Sequence, residues 1–245
     1  GQTGDDDLGN LFSKDLNNSG VFYEKKIIQV SGKTSKSIVL VTPDAERSMN
    51  TYLGASTQFN IDCINEQLII NSQIIYIEGY LFDQSDAKKA IYHCCKLAKA
   101  NNCRIALSLS DSFCVDRHRE DLCDLVNKYI DIIFANETEI KSLYRSDLQE
   151  SLKKILEVAE IGAITLGSKG SIVFQNQVKN LVPAIKVNDP VDTTGAGDIF
   201  ASGFLFGLIN KYSIDDCGNL GNKAASDIIK YIGARPKISF KTFLN

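Results

Sequence analysis

Arg104-Ile105-Ala106-Leu107-Ser108-Leu109, Asp131-Ile132-Ile133-Phe134-Ala135 and Ile161-Gly162-Ala163-Ile164-Thr165-Leu166 are short apolar runs, with helical periodicity at 117–128, 137–144 and 148–160 between them. A strand buried on both faces reads as a continuous apolar run, and a helix between two such strands makes them parallel neighbours. Residues 104–166 therefore form βαβ units. Toward the N-terminus the pattern continues with a helix at 60–67, a strand at 73–78 and a helix at 84–100. Toward the C-terminus a β-rich stretch runs to about 187, followed by helices at about 196–210 and 215–232. The fold class is α/β, a three-layer αβα arrangement around a mostly parallel sheet. Its active site is expected at the carboxyl ends of the strands.

The front of the chain has a different period. Residues 8–19 read as a helix ending at Gly20. Val21-Phe22-Tyr23, Lys26-Ile27-Ile28-Gln29-Val30, Ser37-Ile38-Val39-Leu40-Val41 and Arg47-Ser48-Met49-Asn50-Thr51-Tyr52-Leu53 then read as strands of a small meander, with turn residues between them. The expected organisation is an α/β domain from residues 1–20 and 56–245 with a small β-sheet at 21–55.

The 245 residues, 44% apolar and 23% charged, suffice for one sizeable core. Lys and Arg number 27 against 30 Asp and Glu, a balance too even for electrostatic binding of nucleic acid or a membrane surface. The apolar runs stop at four residues, as at Ile132 to Ala135, where a membrane span needs about 20. Seven cysteines form an odd set with no C-x-x-C, which points to a reducing cytoplasm and to packing roles for Cys94 and Cys95. His93 and His118 are the only histidines, and neither has a metal-ligand spacing.

The chemistry concentrates in Asp189-Pro190-Val191-Asp192-Thr193-Thr194-Gly195-Ala196-Gly197-Asp198, which runs into the apolar helix Ile199-Phe200-Ala201-Ser202-Gly203-Phe204-Leu205. Glycines at a loop-to-helix junction let backbone N–H groups point into open space, and the helix dipole adds positive potential there. That is an anion hole, the device phosphoryl transfer requires. Asp198, in the first helical turn, can take the proton of an attacking hydroxyl. The bland alternative is a flexible helix entry with an ordinary first-turn acid.

The string Asp192 to Asp198 resembles the D-T-x-G-A-G-D signature of the PfkB, or ribokinase-like, carbohydrate kinases. Further segments agree in order: Gly1-Gln2-Thr3-Gly4-Asp5-Asp6-Asp7-Leu8-Gly9 is similar to the family's G-x-x-G-x-D-x-x-G element, and Asn136-Glu137-Thr138-Glu139 to its N-x-x-E motif. Thr165-Leu166-Gly167-Ser168-Lys169-Gly170 is similar to its T-x-G-x-x-G nucleotide loop, and Asn222 to Gly233 to its last helix beside the adenine. The resemblance implies transfer of the γ-phosphoryl group of ATP to an alcohol, with Asp198 as general base and the amides of Gly195, Ala196 and Gly197 as anion hole. It implies that Thr165, Gly167, Gly170 and Asn222 hold ATP, that Asn136 lies near the phosphates and that Glu139 organises Mg2+ through water. Asp192 and Thr194 match positions that in some members help to bind a monovalent cation. The alternatives stay open: a helix-capping carboxylate for Glu139, an ordinary strand turn for the T-x-G-x-x-G loop, and a loop brace for Asp192.

The strands at 21–55 resemble the family's lid, which covers the acceptor and excludes water. Asp44 to Ala55 and Tyr76-Ile77-Glu78-Gly79-Tyr80-Leu81 look most like the adenosine-kinase branch, in which the arginine matching Arg47 approaches the phosphates. A surface charge on a strand is the other reading of Arg47. A nucleoside is the first expected acceptor, with ribose, fructose or another sugar next. The family's usual first β-strand, acceptor-binding Asp and G-G-x-x-x-N segment do not occur before Gly1, so the chain reads as N-terminally incomplete. That leaves a non-catalytic nucleotide-binding piece as a competing reading. A homodimer through the lid, using Val21 to Val30, is the expected form of any self-association. A dinucleotide-dependent oxidoreductase is disfavoured, because no G-x-G-x-x-G opens a helix after an early strand.

Overall fold

A computed structural model of the chain describes residues 1–23 and 31–244. The chain divides into two compact units, one of Gly1–Leu40, Ser48–Ile75 and Leu81–Cys103, the other of Val41–Arg47, Tyr76–Tyr80 and Arg104–Asn245.

The first unit opens with α1 (Asp7–Asn18). Asp6 caps it by accepting from the Gly9 amide at 3.0 Å, and also accepts from Thr34 Oγ1 at 2.5 Å and the Thr34 amide at 3.0 Å. These bonds, that of the Thr34 hydroxyl foremost, hold its carboxyl down at about 2. The G-x-x-G-x-D-x-x-G element is thus a knot tying the helix to residue 34. Strands β1 (Lys36–Val41) and β2 (Arg47–Tyr52) form a two-stranded sheet joined through a tight turn. The expected strand Val21–Tyr23 is irregular instead: the Tyr23 ring stands edge-on to Phe12 and its hydroxyl meets Thr3, so side-chain packing fixes it. The expected strand Lys26–Val30 lies outside the described residues.

In place of one helix at 60–67 there is a 3-10 turn, Ile61–Cys63, and then α2 (Glu66–Ile70). Asn60 and Asn65 each accept an amide downstream, and two caps five residues apart restart the turn rather than continue it. Strand β3 (Ile74–Glu78) follows and belongs to the second unit from Tyr76 on, and α3 (Ser85–Ala100) lies in the first. Ala87, Ala90, Ile91, Cys95 and Ala98 are the buried face of α3, which makes Cys95 a packing residue. His93 pairs with Glu66 at 2.7 Å, a partner distant in sequence.

The second unit contains β4 (Arg104–Ser108), α4 (Ser112–Tyr129), β5 (Ile132–Asn136), α5 (Glu137–Tyr144), α6 (Leu148–Val158), β6 (Ile161–Thr165), β7 (Ser171–Gln175), β8 (Val178–Val182), α7 (Ala196–Ile209) and α8 (Ile214–Ile228). Helix α4 starts earlier than its apolar periodicity suggests, because Asp111 caps the amides of Phe113 and Cys114. The six-stranded sheet has the order β3-β4-β5-β6-β7-β8. β4, β5 and β6 are parallel, while β7 and β8 complete the sheet as antiparallel strands. Phe134, Ala163 and Val173 stand side by side on one face. There the Phe134 ring meets Phe204 of α7 edge-on at 5.3 Å, and Gly218 of α8 lies against Val173. Ile133, Gly162 and Phe174 form the opposite row and are equally buried. Helices α4, α5 and α6 pack against one another in sequence, with α5 on β5 and β6, apart from the α7–α8 pair. The three layers expected from the periodicity are present, and Glu78, Ser108, Asn136 and Thr165 end their strands at or beside the loops that carry the site.

Candidate active site

Helix α7 begins at Gly195, which caps it at φ +78, in the left-handed region that favours glycine. The Ala196 amide closes a turn on the Thr193 carbonyl at 3.2 Å, and the space beside the Gly197 Cα is open. First-turn amides of a helix have no intrahelical acceptor, so this end presents donors and positive potential together. Asp198 stands in the same turn. Partial burial pushes its pKa up, and the Arg47 guanidinium acts in the opposite direction. Arg47 Nη1 donates to Thr193 Oγ1 at 2.9 Å. Asp192 is 2% exposed. Its Oδ1 accepts from the Thr194 amide at 2.8 Å and hydroxyl at 2.6 Å, and its Oδ2 from the Gly233 amide at 2.9 Å. Burial opposes ionisation of Asp192, but these bonds outweigh it and hold the carboxyl below its usual value.

Beside the loop lies a cavity of about 740 Å3 lined by Thr165, Gly167, Gly170, Thr193, Ala196, Gly197 and Asn222, with Ile185, Val187, Phe200 and Ile229 as apolar wall. That volume suits a nucleotide. At Gly170, φ is +102 and a Cβ would lie 2.1 Å from the Val182 carbonyl oxygen, so the turn from β6 to β7 admits no side chain there. Asn222 Nδ2 donates to the carbonyls of Val182 and Pro183 at 3.2 and 3.1 Å, tying α8 to the end of β8. Asp198 lines a second hollow of about 390 Å3 with Tyr76, Ala201, Ser202, Leu205, Phe206 and Ile209. The first turn of α7 therefore faces two hollows, Gly197 on the first and Asp198 on the second.

Asn136 and Glu139 pair with each other rather than line either hollow. Glu139 Oε2 accepts from the Asn136 amide at 2.9 Å and Oε1 from Asn136 Nδ2 at 2.6 Å, while Asn136 Oδ1 accepts the Glu139 amide at 2.8 Å. This is the capping box of α5. Burial pushes the Glu139 carboxyl up to about 7, against the Asn136 amide and with added repulsion from Asp111 and Glu78. Burial also raises Glu78, which accepts from Ser110 Oγ at 2.7 Å. Ser110 in turn accepts the Gly79 amide at 2.8 Å. Glu78 and Asp111 are functional candidates that motif reading passed over. The sequence signal for Glu78 is a carboxylate that directly ends an apolar strand. Among the described residues no group of three or more His, Cys, Asp or Glu side chains is placed to hold a metal directly.

Residues 1–240 match the model of the pfkB family carbohydrate kinases. The chain belongs to that family. A crystal structure of adenosine kinase from Sinorhizobium meliloti is 38% identical, with a TM-score of 0.95 over 100% of this chain and 75% of that one. A probable sugar kinase protein from Rhizobium etli is 40% identical, with a TM-score of 0.95 over 99% of this chain and 74% of that one. Adenosine kinase of Dictyostelium discoideum is 31% identical over 98% of this chain and 76% of its own length. The chain is a small-molecule kinase of the adenosine-kinase-like branch, an ATP-dependent phosphotransferase with a nucleoside or sugar as acceptor. No described helix is long and apolar enough to cross a membrane.

Proposed function

We propose that this PfkB kinase phosphorylates a hydroxyl of an adenosine-like nucleoside, with Asp198 as general base. The observation that carries the reading is the start of α7, where donor amides border a nucleotide-sized cavity and Asp198 borders the neighbouring hollow. In the proposed reaction ATP occupies the larger cavity against Thr165, Gly167, Gly170 and Asn222. Asp198 takes the acceptor's hydroxyl proton as that oxygen bonds to the γ-phosphorus. The bond from phosphorus to the bridging oxygen breaks, and ADP leaves. The Gly195, Ala196 and Gly197 amides and Arg47 offset charge on the equatorial oxygens. For Ala196 this requires release of its turn bond to Thr193. The relatives named adenosine kinase support the nucleoside as acceptor.

Mg2+ prefers oxygen ligands and keeps several waters. Glu139, Glu78 and Asp111 fit that preference, as carboxylates of which Asp111 and Glu78 repel Glu139, and they would hold the ion through water near Asn136. Bound there it would supply charge neutralisation of the phosphates. Asp192 and Thr194 would receive a monovalent cation only by giving up their loop bonds, and we assign them the bracing role. The segment 21–55, which carries the small sheet of β1 and β2, is proposed as the lid, and a homodimer through it is testable by light scattering. The free cysteines support a cytoplasmic setting.

The test is turnover of the full chain with Mg-ATP and adenosine, ribose or fructose, comparing wild type with Asp198→Asn. We expect adenosine to have the highest kcat/KM and the variant to lose about 10²–10⁴-fold in kcat. Near-wild-type turnover in the variant would remove Asp198 as base, and a preference for ribose or fructose would move the acceptor to the sugars.

A further inference from the structure

The hydroxyl of Thr193 joins the anion-hole loop to the turn between β1 and β2. Its Oγ1 accepts from Arg47 Nη1 at 2.9 Å and donates to the Ala45 carbonyl at 3.4 Å. The backbone carbonyl of the same residue accepts the Ala196 amide, and the residue lines the nucleotide-sized cavity. Residues Val41–Arg47 belong to the same compact unit as this loop.

The turn is itself tightly specified. Thr42 and Glu46 are joined by a backbone bond of 2.9 Å, the Ala45 amide returns to the Thr42 carbonyl at 2.9 Å, and Asp44 Oδ1 accepts the Thr42 hydroxyl at 2.5 Å. Ala45 is 2% exposed and has φ +64, a conformation that alanine rarely takes and that persists only where the surroundings determine it. Among the described residues Thr193 is the hydrogen-bond partner of the Arg47 guanidinium. A long arginine side chain held at one point by one hydroxyl depends on that hydroxyl for its placement.

We infer that Thr193 is a positioning residue for phosphoryl transfer: its hydroxyl fixes the Arg47 guanidinium beside the start of α7, the helix whose first turn carries Asp198. The inference rests on the roles proposed above for Arg47 and Asp198. Among the described residues the charged and titratable groups coupled to Asp198 from neighbouring elements are Arg47, Glu78 and Tyr76, of which Arg47 is the cation. Without the Thr193 hydroxyl, Asp198 keeps its acidic neighbour and loses the fixed positive one.

The experiment is a double-mutant cycle of Thr193→Val and Arg47→Gln, with Thr193→Ser and Asp198→Asn assayed alongside, all in the full chain and checked for folding by thermal denaturation. Thr193→Val keeps the shape and removes the hydroxyl. A hydrogen bond to a charged group carries an effect of about 10- to 100-fold, so kcat is expected to fall by that order while KM for the acceptor changes little. The acid limb of the kcat/KM profile should move to higher pH. Thr193→Ser should restore most of the rate. In the Arg47→Gln background Thr193→Val should add little, since the two act as one unit.

Equal impairment of the Val and Ser variants, or effects that multiply in the double variant, would overturn the positioning role and leave a packing residue. Should Asp198→Asn retain turnover, the functional reading itself fails, whatever the Thr193 series gives. A strongly impaired Asp198→Asn together with a multiplicative cycle removes this inference alone.

Discussion

At Glu139 burial and two neighbouring carboxylates raise the pKa to about 7, while the Asn136 amide resists them. The folded state therefore binds a proton that the unfolded chain releases near 4.5. Such a group contributes stability that is fully present below the unfolded pKa, declines as pH rises above it, and is lost by the folded pKa near 7. The shift corresponds to about 3 kcal/mol as an upper bound. Urea denaturation of wild type and Glu139→Gln across pH 4–8 should show a falling slope in the wild type that is flatter in the variant. The N-x-x-E spacing allowed a capping carboxylate as one reading of Glu139, because a capping box is local. The raised pKa was not legible, since Asp111 and Glu78 arrive from the ends of other elements. Gly170 is a second case. A Cβ 2.1 Å from the Val182 carbonyl oxygen, at φ +102, predicts that Gly170→Ala loses about 1–3 kcal/mol and weakens ATP binding. Denaturant midpoints and calorimetric titration with ATP would check both.

Among the elements, α7 and α8 carry the cavity by packing closely. A Cβ on Gly203 would lie 2.8 Å from the Leu220 carbonyl oxygen, and Gly221 rests against the Phe200 ring. Widening this contact would move Phe200 together with Asn222, Ala225 and Ile229, all of which line the cavity. Gly203→Val is accordingly expected to destabilise by about 1–3 kcal/mol. Its dissociation constant for ATP should rise more than that of a surface substitution with the same loss of stability. Differential scanning calorimetry with and without ATP separates the two effects. The helices themselves were readable from their periodicity, as were the strands of the large sheet. The segments that read poorly are those governed by side-chain caps and isolated contacts: the start of α4 at Asp111, the break between Asn60 and Asn65, and the irregular Val21–Tyr23. Each depends on which acceptor or ring a side chain finds, and hydrophobic period is silent about that.

For the molecule as a whole, ligand binding should be felt unevenly. Every residue lining the nucleotide-sized cavity belongs to the second compact unit. Hydrogen exchange with ATP should show new protection around residues 165–170, 184–197 and 222–229. Protection confined to other segments would contradict the site. At 100 times the dissociation constant the stabilisation should be about 2.7 kcal/mol. The sequence by itself determined the α/β class, the order of the large-sheet elements and the family, because apolar period and glycine positions act over a few residues. Only the tertiary structure decided that Asp192 accepts from Thr194 and the Gly233 amide, that Glu78 and Asp111 bear on Glu139, and that Thr193 holds Arg47. Apart from Thr194 beside Asp192, these pairings join residues far apart in the chain, and their energies exist only once folding brings the charges and donors within hydrogen-bond or Coulomb range.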